Sequence, residues 1–204
     1  PAPAGDNTRR LPGSGAGFYV MANRNKRSLA VDLKSAEGHA MVMKLLATAD
    51  VVVENFRPGA MDRLGFGYEA LAMLNPRLVY CSCKGFLPGP YETRTALDEV
   101  VQMMGGLAYM TGPPGRPLRA GSSVNDIMGG MFGAIGILAA LNERHATGRG
   151  THVQSGLFEN NTMLVAQHMA QYVVTGKEAA PMPNRASVWP IYDTFEVSDG
   201  QIFV

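Results

Sequence analysis

Cysteine is scarce in this chain: two occur in 204 residues, Cys81 and Cys83 in the stretch VYCSCKG. Two apart on an expected strand, they share one face without the geometry for a bridge to each other. A disulfide framework is therefore excluded, and the pair reads as small core residues in a reducing compartment rather than as a redox or metal site. Runs of like charge are also missing. Eighteen Lys and Arg stand against 17 Asp and Glu, for a formal charge of +1, whereas a nucleic-acid surface needs a clustered basic excess. The longest apolar run, Ile127 to Leu141, is interrupted by Gly129, Gly130, Gly133 and Gly136 and falls short of the ~20 residues that span a bilayer. The N-terminus lacks the charged-then-apolar layout of a secretory signal. No repeat, heptad or low-complexity block occurs. These absences point to a soluble, cytoplasmic chain with no nucleic-acid or membrane partner and no metal. What is present is an ordinary globular balance, 46% apolar and 17% charged, which is enough for a real core.

The order of elements reads as α/β. RSLAVDL (27–33) predicts a strand, and SAEGHAMVMKLLATA (35–49) a helix capped by Ser35, with Met41, Leu45 and Leu46 on one face. DVVVEN (50–55) and RLVYCSCKG (77–85) are β-branched runs of the kind found in parallel strands covered on both faces. Between them Pro58 suits a first helical turn, glycines interrupt, and a second short helix runs through Leu71 and Leu74 to Pro76. A Rossmann-like, doubly wound parallel sheet is the expectation. LDEVVQMMGGLAYMTG (97–112) predicts a helix, THVQSGLF (151–158) a strand, and ENNTMLVAQHMAQYVVTG (159–176) another helix. A linker follows, then YDTFEVSDGQIFV as two strands around a Ser-Asp-Gly turn. The expected division is a large Rossmann-like domain over 1–176, and over 177–204 a linker with the first strands of a second, smaller domain. The loop-like lead-in PAPAGDNTRRLPGSGAG suggests that an earlier strand-helix unit precedes residue 1, so the chain reads as a fragment. GSGAG within that lead-in follows no strand, and a dinucleotide fingerprint needs one.

The stretch SSVNDIMGGMFGAIGILAALNERHATG (122–148) places one acid, Asp126, in front of a glycine-rich apolar helix. Ser122, Ser123 and Asn125 are capping types, and a carboxylate at a helix N-terminus meets unpaired N–H groups that favour its ionised form. Each glycine weakens the helix by about 0.5–1 kcal/mol relative to alanine, so four of them call for a close approach by backbone or ligand. Asp126 reads either as a cap or as a carboxylate nucleophile in a narrow cleft. These local features fit both.

Six stretches in order, NRNKRSLAVDLKSAEG (23–38), ADVVVENFRPGAMDRLGFGYEAL (49–71), NPRLVYCSCKGF (75–86), ALDEVVQMMGGL (96–107), VNDIMGGMFGAIGILAAL (124–141) and ERHATGRGTHV (143–153), resemble the class III CoA-transferases, the family of formyl-CoA and carnitine CoA-transferases and α-methylacyl-CoA racemases. The resemblance implies that Asp126 is the nucleophile, taking an acyl group from coenzyme A as a mixed anhydride and then carrying CoA as an aspartyl thioester. It implies that Arg57 and Arg63 hold CoA phosphates and that Asn55 and Phe56 line its groove. Two arginines six apart beside a strand end suit a phosphorylated ligand, though as an isolated pair they would equally be solvated. Asp98 matches a position near the site, where it either contacts the ligand, orients neighbouring groups or caps its own helix. Racemases of the family carry a His where this chain has Leu97, which favours transfer over racemisation. Formyl-CoA transferases keep a CoA-contacting Lys at the position of Thr95, which speaks against formyl-CoA as the substrate.

The resemblance further implies interlocked homodimers and a small domain whose glycine-rich loop closes over the nucleophile. His39, His145, His152 and His168 read as surface or structural residues, Lys26 and Arg27 as a solvated pair, and Glu159 as the start of its helix. CoA transfer between carboxylic acids is the leading expectation. Acyl-CoA racemisation and a silent CoA-binding domain are the alternatives.

Overall fold

The computed structural model describes residues 5–185 and 189–204. Three short strands, β1 (Val51–Glu54), β2 (Val79–Lys84) and β3 (His152–Gly156), form a parallel sheet in the order β1-β2-β3. Val51 lies opposite Val79, and Tyr80 opposite His152. Side chains alternate along a strand, so β2 sends Tyr80, Ser82 and Lys84 to one face and Cys81 and Cys83 to the other. The expected parallel pairing of 50–55 with 77–85 is present.

The chain enters through α1 (Phe18–Ala22) and reaches α2 (Ala36–Leu46), whose N-cap Ser35 accepts the Gly38 N–H as its sequence suggests. The β1-to-β2 connection carries α3 (Ala60–Arg63) and α4 (Tyr68–Leu74). Val42, Met43, Leu46, Met61 and Leu64 from this layer pack around buried Phe66, Leu71, Leu78 and Tyr80 on one face of the sheet. From β2 to β3 run α5 (Asp98–Met104), α6 (Leu107–Thr111) and the long α7 (Val124–Thr147), which lies along β2 and β3 on the opposite face. After β3 comes α8 (Leu157–Thr175), packed on α5 and α7. Helices thus cover both faces of a parallel sheet, the doubly wound arrangement. An antiparallel hairpin, β4 (Thr194–Val197) with β5 (Gly200–Phe203), ends the described chain where two strands were expected.

Several expectations are corrected. Residues 27–33 form no strand and run mostly exposed. Apolar alternation is not enough without a neighbour to complete the backbone hydrogen bonds, and none of the described strands pairs with this segment. The buried face of α2 is Val42, Met43 and Leu46, whereas Met41 and Leu45 are more than half exposed. Pro58 stands before the helix: Gly59, in the left-handed region at φ 73°, caps α3 at Ala60. The single helix expected over 97–112 is broken between α5 and α6 at Gly106, φ 87°. Helix α8 begins at Leu157, so Glu159 lies within its first turn. Helix α7 extends well beyond the apolar run and by length and composition alone would cross a membrane. Here it packs on two strands and α8.

Candidate active site

The site begins where β1 ends. The Glu54 carboxylate accepts the Phe56 N–H at 2.8 Å and pairs with Lys84 Nζ at 2.6 Å, while Lys84 Nζ also donates to the Phe56 carbonyl at 2.9 Å. A buried acid and the last residue of β2 thereby clamp the Asn55–Arg57 turn at the carboxyl edge of the sheet, the edge at which α/β folds bind ligands. Next to it is a cavity of about 350 Å³ lined by Asn55, Phe56, Arg57, Arg63, Arg94 and Thr95. A second cavity of about 570 Å³ is lined by Leu97, Asp98, Glu99, Asp126, Gly129 and Gly130. Both share Asn55, Cys83, Lys84, Gly85 and Ala96 as walls. Together they form one groove running from a cluster of three guanidinium-bearing residues to a carboxylate.

Asp126 occupies the third position of α7. Ser123 stands at the N-cap but makes no side-chain capping bond. The cap comes instead from α5: Asp98 Oδ1 accepts the backbone N–H groups of Asn125 at 2.8 Å and Asp126 at 3.3 Å. Asp98 is 3% exposed, receives Gln102 Nε2 at 2.5 Å on its other oxygen, and lies 3.5 Å from Arg119. It therefore caps a neighbouring helix rather than its own. Burial, followed by the negative charges of Asp98 and Glu99, pushes the Asp126 carboxyl above its ordinary range, and Arg119 opposes this. That direction is opposite to the expectation from the helix N-terminus alone: burial first, and then the two neighbouring acids, disfavour the charged form. The Asp126 side chain remains open to the cavity.

Three of the four α7 glycines have the close neighbours their spacing called for. A Cβ on Gly129 would meet Leu157 Cδ2 at 2.8 Å, one on Gly133 both cysteine sulfurs at 3.3 and 3.5 Å, and one on Gly136 Val153 Cγ1 at 2.6 Å. At Gly130 a Cβ would meet nothing within 4 Å, because that position faces the cavity beside Asp126. The hydrogen bond with Cys83, and then burial, push the Cys81 thiol up, whereas that same bond is the main cause of the lowering of Cys83 to about 7.

Of the positions singled out in the sequence, Asn55, Phe56, Arg57 and Arg63 come together at one end of the groove, and Asp98 and Asp126 at the other. Lys26 and Arg27 border a separate cleft with Arg9. His152 stacks on Tyr68 at 4.8 Å between ring centroids, pairs with Ser82 Oγ at 2.9 Å, and is kept towards its neutral form by burial. His39 stacks on Phe66. Glu159 holds the Leu87 N–H at 3.1 Å, a tie between loop and helix. Sequence reasoning missed Lys84, Glu54, Cys83, Arg94 and Gln102. Lys84 and Cys83 carried one usable signal, their place at the carboxyl end of an expected parallel strand. Arg94 lies in a proline- and glycine-rich loop, and only folding brings it beside Arg57 and Arg63.

The sequence profile of CoA-transferase family III matches residues 1–204. The chain belongs to CoA-transferase family III. It is 39% identical over 201 residues to the acetyl-CoA:oxalate CoA-transferase of Acetobacter aceti, an alignment covering 96% of this chain and 52% of that protein. It is 34% identical over 208 residues to the human succinyl-CoA:glutarate CoA-transferase, covering 98% and 47%. Among solved structures, a CAIB/BAIF family protein from Brucella suis superposes with a TM-score of 0.89 at 37% identity, over 99% of this chain and 56% of that one. The chain thus spans about half the length of the curated relatives it matches. Within family III, its described residues hold the doubly wound sheet and the groove.

Proposed function

We propose that the protein moves CoA between an acyl-CoA donor and a carboxylic acid acceptor through covalent intermediates on Asp126. The observation that carries this reading is the continuity of the groove, in which three arginines and a cavity-facing carboxylate lie on one path. Arg57, Arg63 and Arg94 supply cations for the CoA phosphates. Asn55 and Phe56 line the passage between them and the sheet edge.

A carboxylate oxygen of Asp126 attacks the donor thioester carbonyl, and the C–S bond breaks to release CoA thiolate and leave a mixed anhydride. The thiolate attacks the aspartyl carbonyl, the donor acid departs as its carboxylate, and an aspartyl-CoA thioester remains. The acceptor carboxylate repeats the sequence in reverse: it attacks the aspartyl thioester, expels CoA thiolate, and the thiolate then attacks the acceptor acyl carbon to free Asp126. No proton is needed at any of these steps, which suits a site whose nucleophile is an anion. Fixing that anion beside the thioester converts a bimolecular exchange into oriented intramolecular steps. The relatives' dicarboxylic acceptors, oxalate and glutarate, make a carboxylic acid the fitting acceptor class.

Racemisation is disfavoured. It needs a base beside the thioester α-carbon, and among the described residues lining the Asp126 cavity there is no histidine, with Leu97 at the position the racemases use. We also propose that the full-length protein is a cytoplasmic homodimer and that 177–204 opens a separate small domain. Support for association comes from Ile127, Met131, Ile135 and Leu138, exposed along one side of α7.

The test is peptide mass spectrometry of the full-length protein after incubation with a panel of acyl-CoA donors and trapping with hydroxylamine. A hydroxamate on the peptide carrying Asp126, lost in a folded Asp126→Asn variant, is expected. A folded, CoA-binding protein that forms no adduct with any donor would overturn the proposal in favour of a silent CoA-binding domain.

A further inference from the structure

We infer that Asp98 is a positioning residue for Asp126, acting through the first turn of α7 rather than as a ligand for CoA. The inference rests on the proposed role of Asp126 and says what aims it. The first turn of α7 has no capping bond from Ser123, and the buried Asn125 side chain has no hydrogen-bond partner among the described residues. Two N–H groups of that turn are instead held by a single oxygen of Asp98 from another helix. One of them is the amide of Asp126 itself. Any displacement of Asp98 therefore displaces the peptide from which the nucleophile projects.

Asp98 is itself restrained on its second oxygen. Gln102, fully buried one turn further along α5, donates to that oxygen and accepts the Ala120 N–H at 2.7 Å through its own carbonyl. Arg119 bridges Asp98 and Glu99, with its Nη1 2.5 Å from Glu99 Oε1. The segment leading into α7 is thus strapped to α5 by three side chains, and both Asp98 oxygens are used inside the protein. A group so fully engaged is poorly placed to bind a ligand and well placed to hold a backbone.

The same geometry gives Asp98 an electrostatic effect. The charged groups facing Asp126 are Asp98 and Glu99 from α5, Arg119 from the preceding loop, and Lys84 and Glu54 across the cavity from the strand ends. Of the two acids that raise the Asp126 carboxyl, Asp98 has the larger effect, second only to burial. Removing its charge while keeping an oxygen acceptor lowers the Asp126 titration and preserves the cap.

Two variants of the full-length protein separate these effects. Asp98→Ala removes the acceptor, and Asp98→Asn keeps one oxygen and removes the charge. Asp98→Ala is expected to lower kcat for acyl exchange about 10- to 100-fold, the scale of a misplaced reacting group, with KM for acyl-CoA within about twofold. Asp98→Asn, whose oxygen keeps the cap while its NH2 loses the Gln102 and Arg119 contacts, is expected to restore part of kcat relative to Asp98→Ala and to shift the acid limb of the pH profile to lower pH. Coupling of Asp126 to a water-soluble carbodiimide, followed by peptide mass spectrometry across pH, reads the same shift without turnover. The inference is overturned if folded Asp98→Ala raises KM and spares kcat, which marks a ligand contact. It is equally overturned if the carbodiimide profile of Asp126 is the same in Asp98→Asn and wild type. Should the wild-type protein form no acyl adduct, the proposed function fails, while the carbodiimide profile still decides whether Asp98 governs Asp126.

Discussion

In Asp126, ionisation works against the fold. Its carboxyl titrates above the ordinary value of 3.8, so charging it costs the folded protein more than the unfolded chain. That cost is absent below about pH 3.8, grows as pH rises through the folded value, and stays constant above it. Asp126→Asn is therefore expected to raise Tm at pH 7 and to leave it unchanged at pH 3. Equal shifts at both values would make shape, not charge, responsible. Cys83 allows a second measurement at this scale. Its thiol lines the groove and is lowered to about 7 by the hydrogen bond with Cys81, with Lys84 assisting. Iodoacetamide should label Cys83 at a rate that rises through neutral pH, spare fully buried Cys81, and be slowed by CoA. Protection without any pH dependence would remove the thiolate from the explanation. The sequence showed Asp126 as a candidate because capping residues and glycines surround it locally. It could not show Asp98 as its cap, because the two are 28 residues apart and meet only when α5 packs against the start of α7.

Helix α7 carries close steric demands at three of its glycines. Gly136→Ala would place a methyl 2.6 Å from Val153 Cγ1, and overpacking of that kind costs about 1–3 kcal/mol. Gly130→Ala meets no atom within 4 Å and is expected to stabilise the helix by about 0.5–1 kcal/mol. Thermal or urea unfolding of the two variants should move in opposite directions, and parallel shifts would refute the packing described here. The glycine spacing announced a close neighbour but not which one, since Val153, Leu157 and the two cysteines belong to other elements. Strands β1 and β2 were legible because Val51–Val53 and Val79–Cys81 suit a strand buried on both faces. The run at 27–33 carried the same kind of signal and forms no strand, because a strand is a property of a pair. In α2 the pattern identified the helix and its Ser35 cap but misjudged the buried face by about one residue, since only the packed core decides which side is inward.

For the whole molecule, apolar exposure is the outstanding property. Ile127, Met131, Ile135 and Leu138 line one side of α7, and Val173 and Val174 of α8 are more than 80% exposed. An exposed apolar stripe of this kind marks a surface that a partner covers. The 204-residue chain by itself is expected to self-associate in sedimentation velocity and to bind a hydrophobic dye, and Ile135→Lys should reduce both. A monomeric, dye-free chain would contradict this. The overall α/β class was readable from alternating patterns along the chain, whereas the groove was not, because its walls come from β1, β2, α1, α3, α5, α7, α8 and the loops between them.

The clamp between Glu54 and Lys84 has a bearing on how the groove measures its ligand. It fastens the turn that carries Arg57 to the end of β2, whose Cys83 and Lys84 are walls of both cavities, so the arginine end is held rigidly against the middle of the groove. Under the proposed mechanism, a thioester anchored at its phosphates would reach the carboxylate in a set register, whereas a shortened carrier such as an acyl-pantetheine would arrive with no registration. Its deficit is therefore expected in kcat as well as in KM.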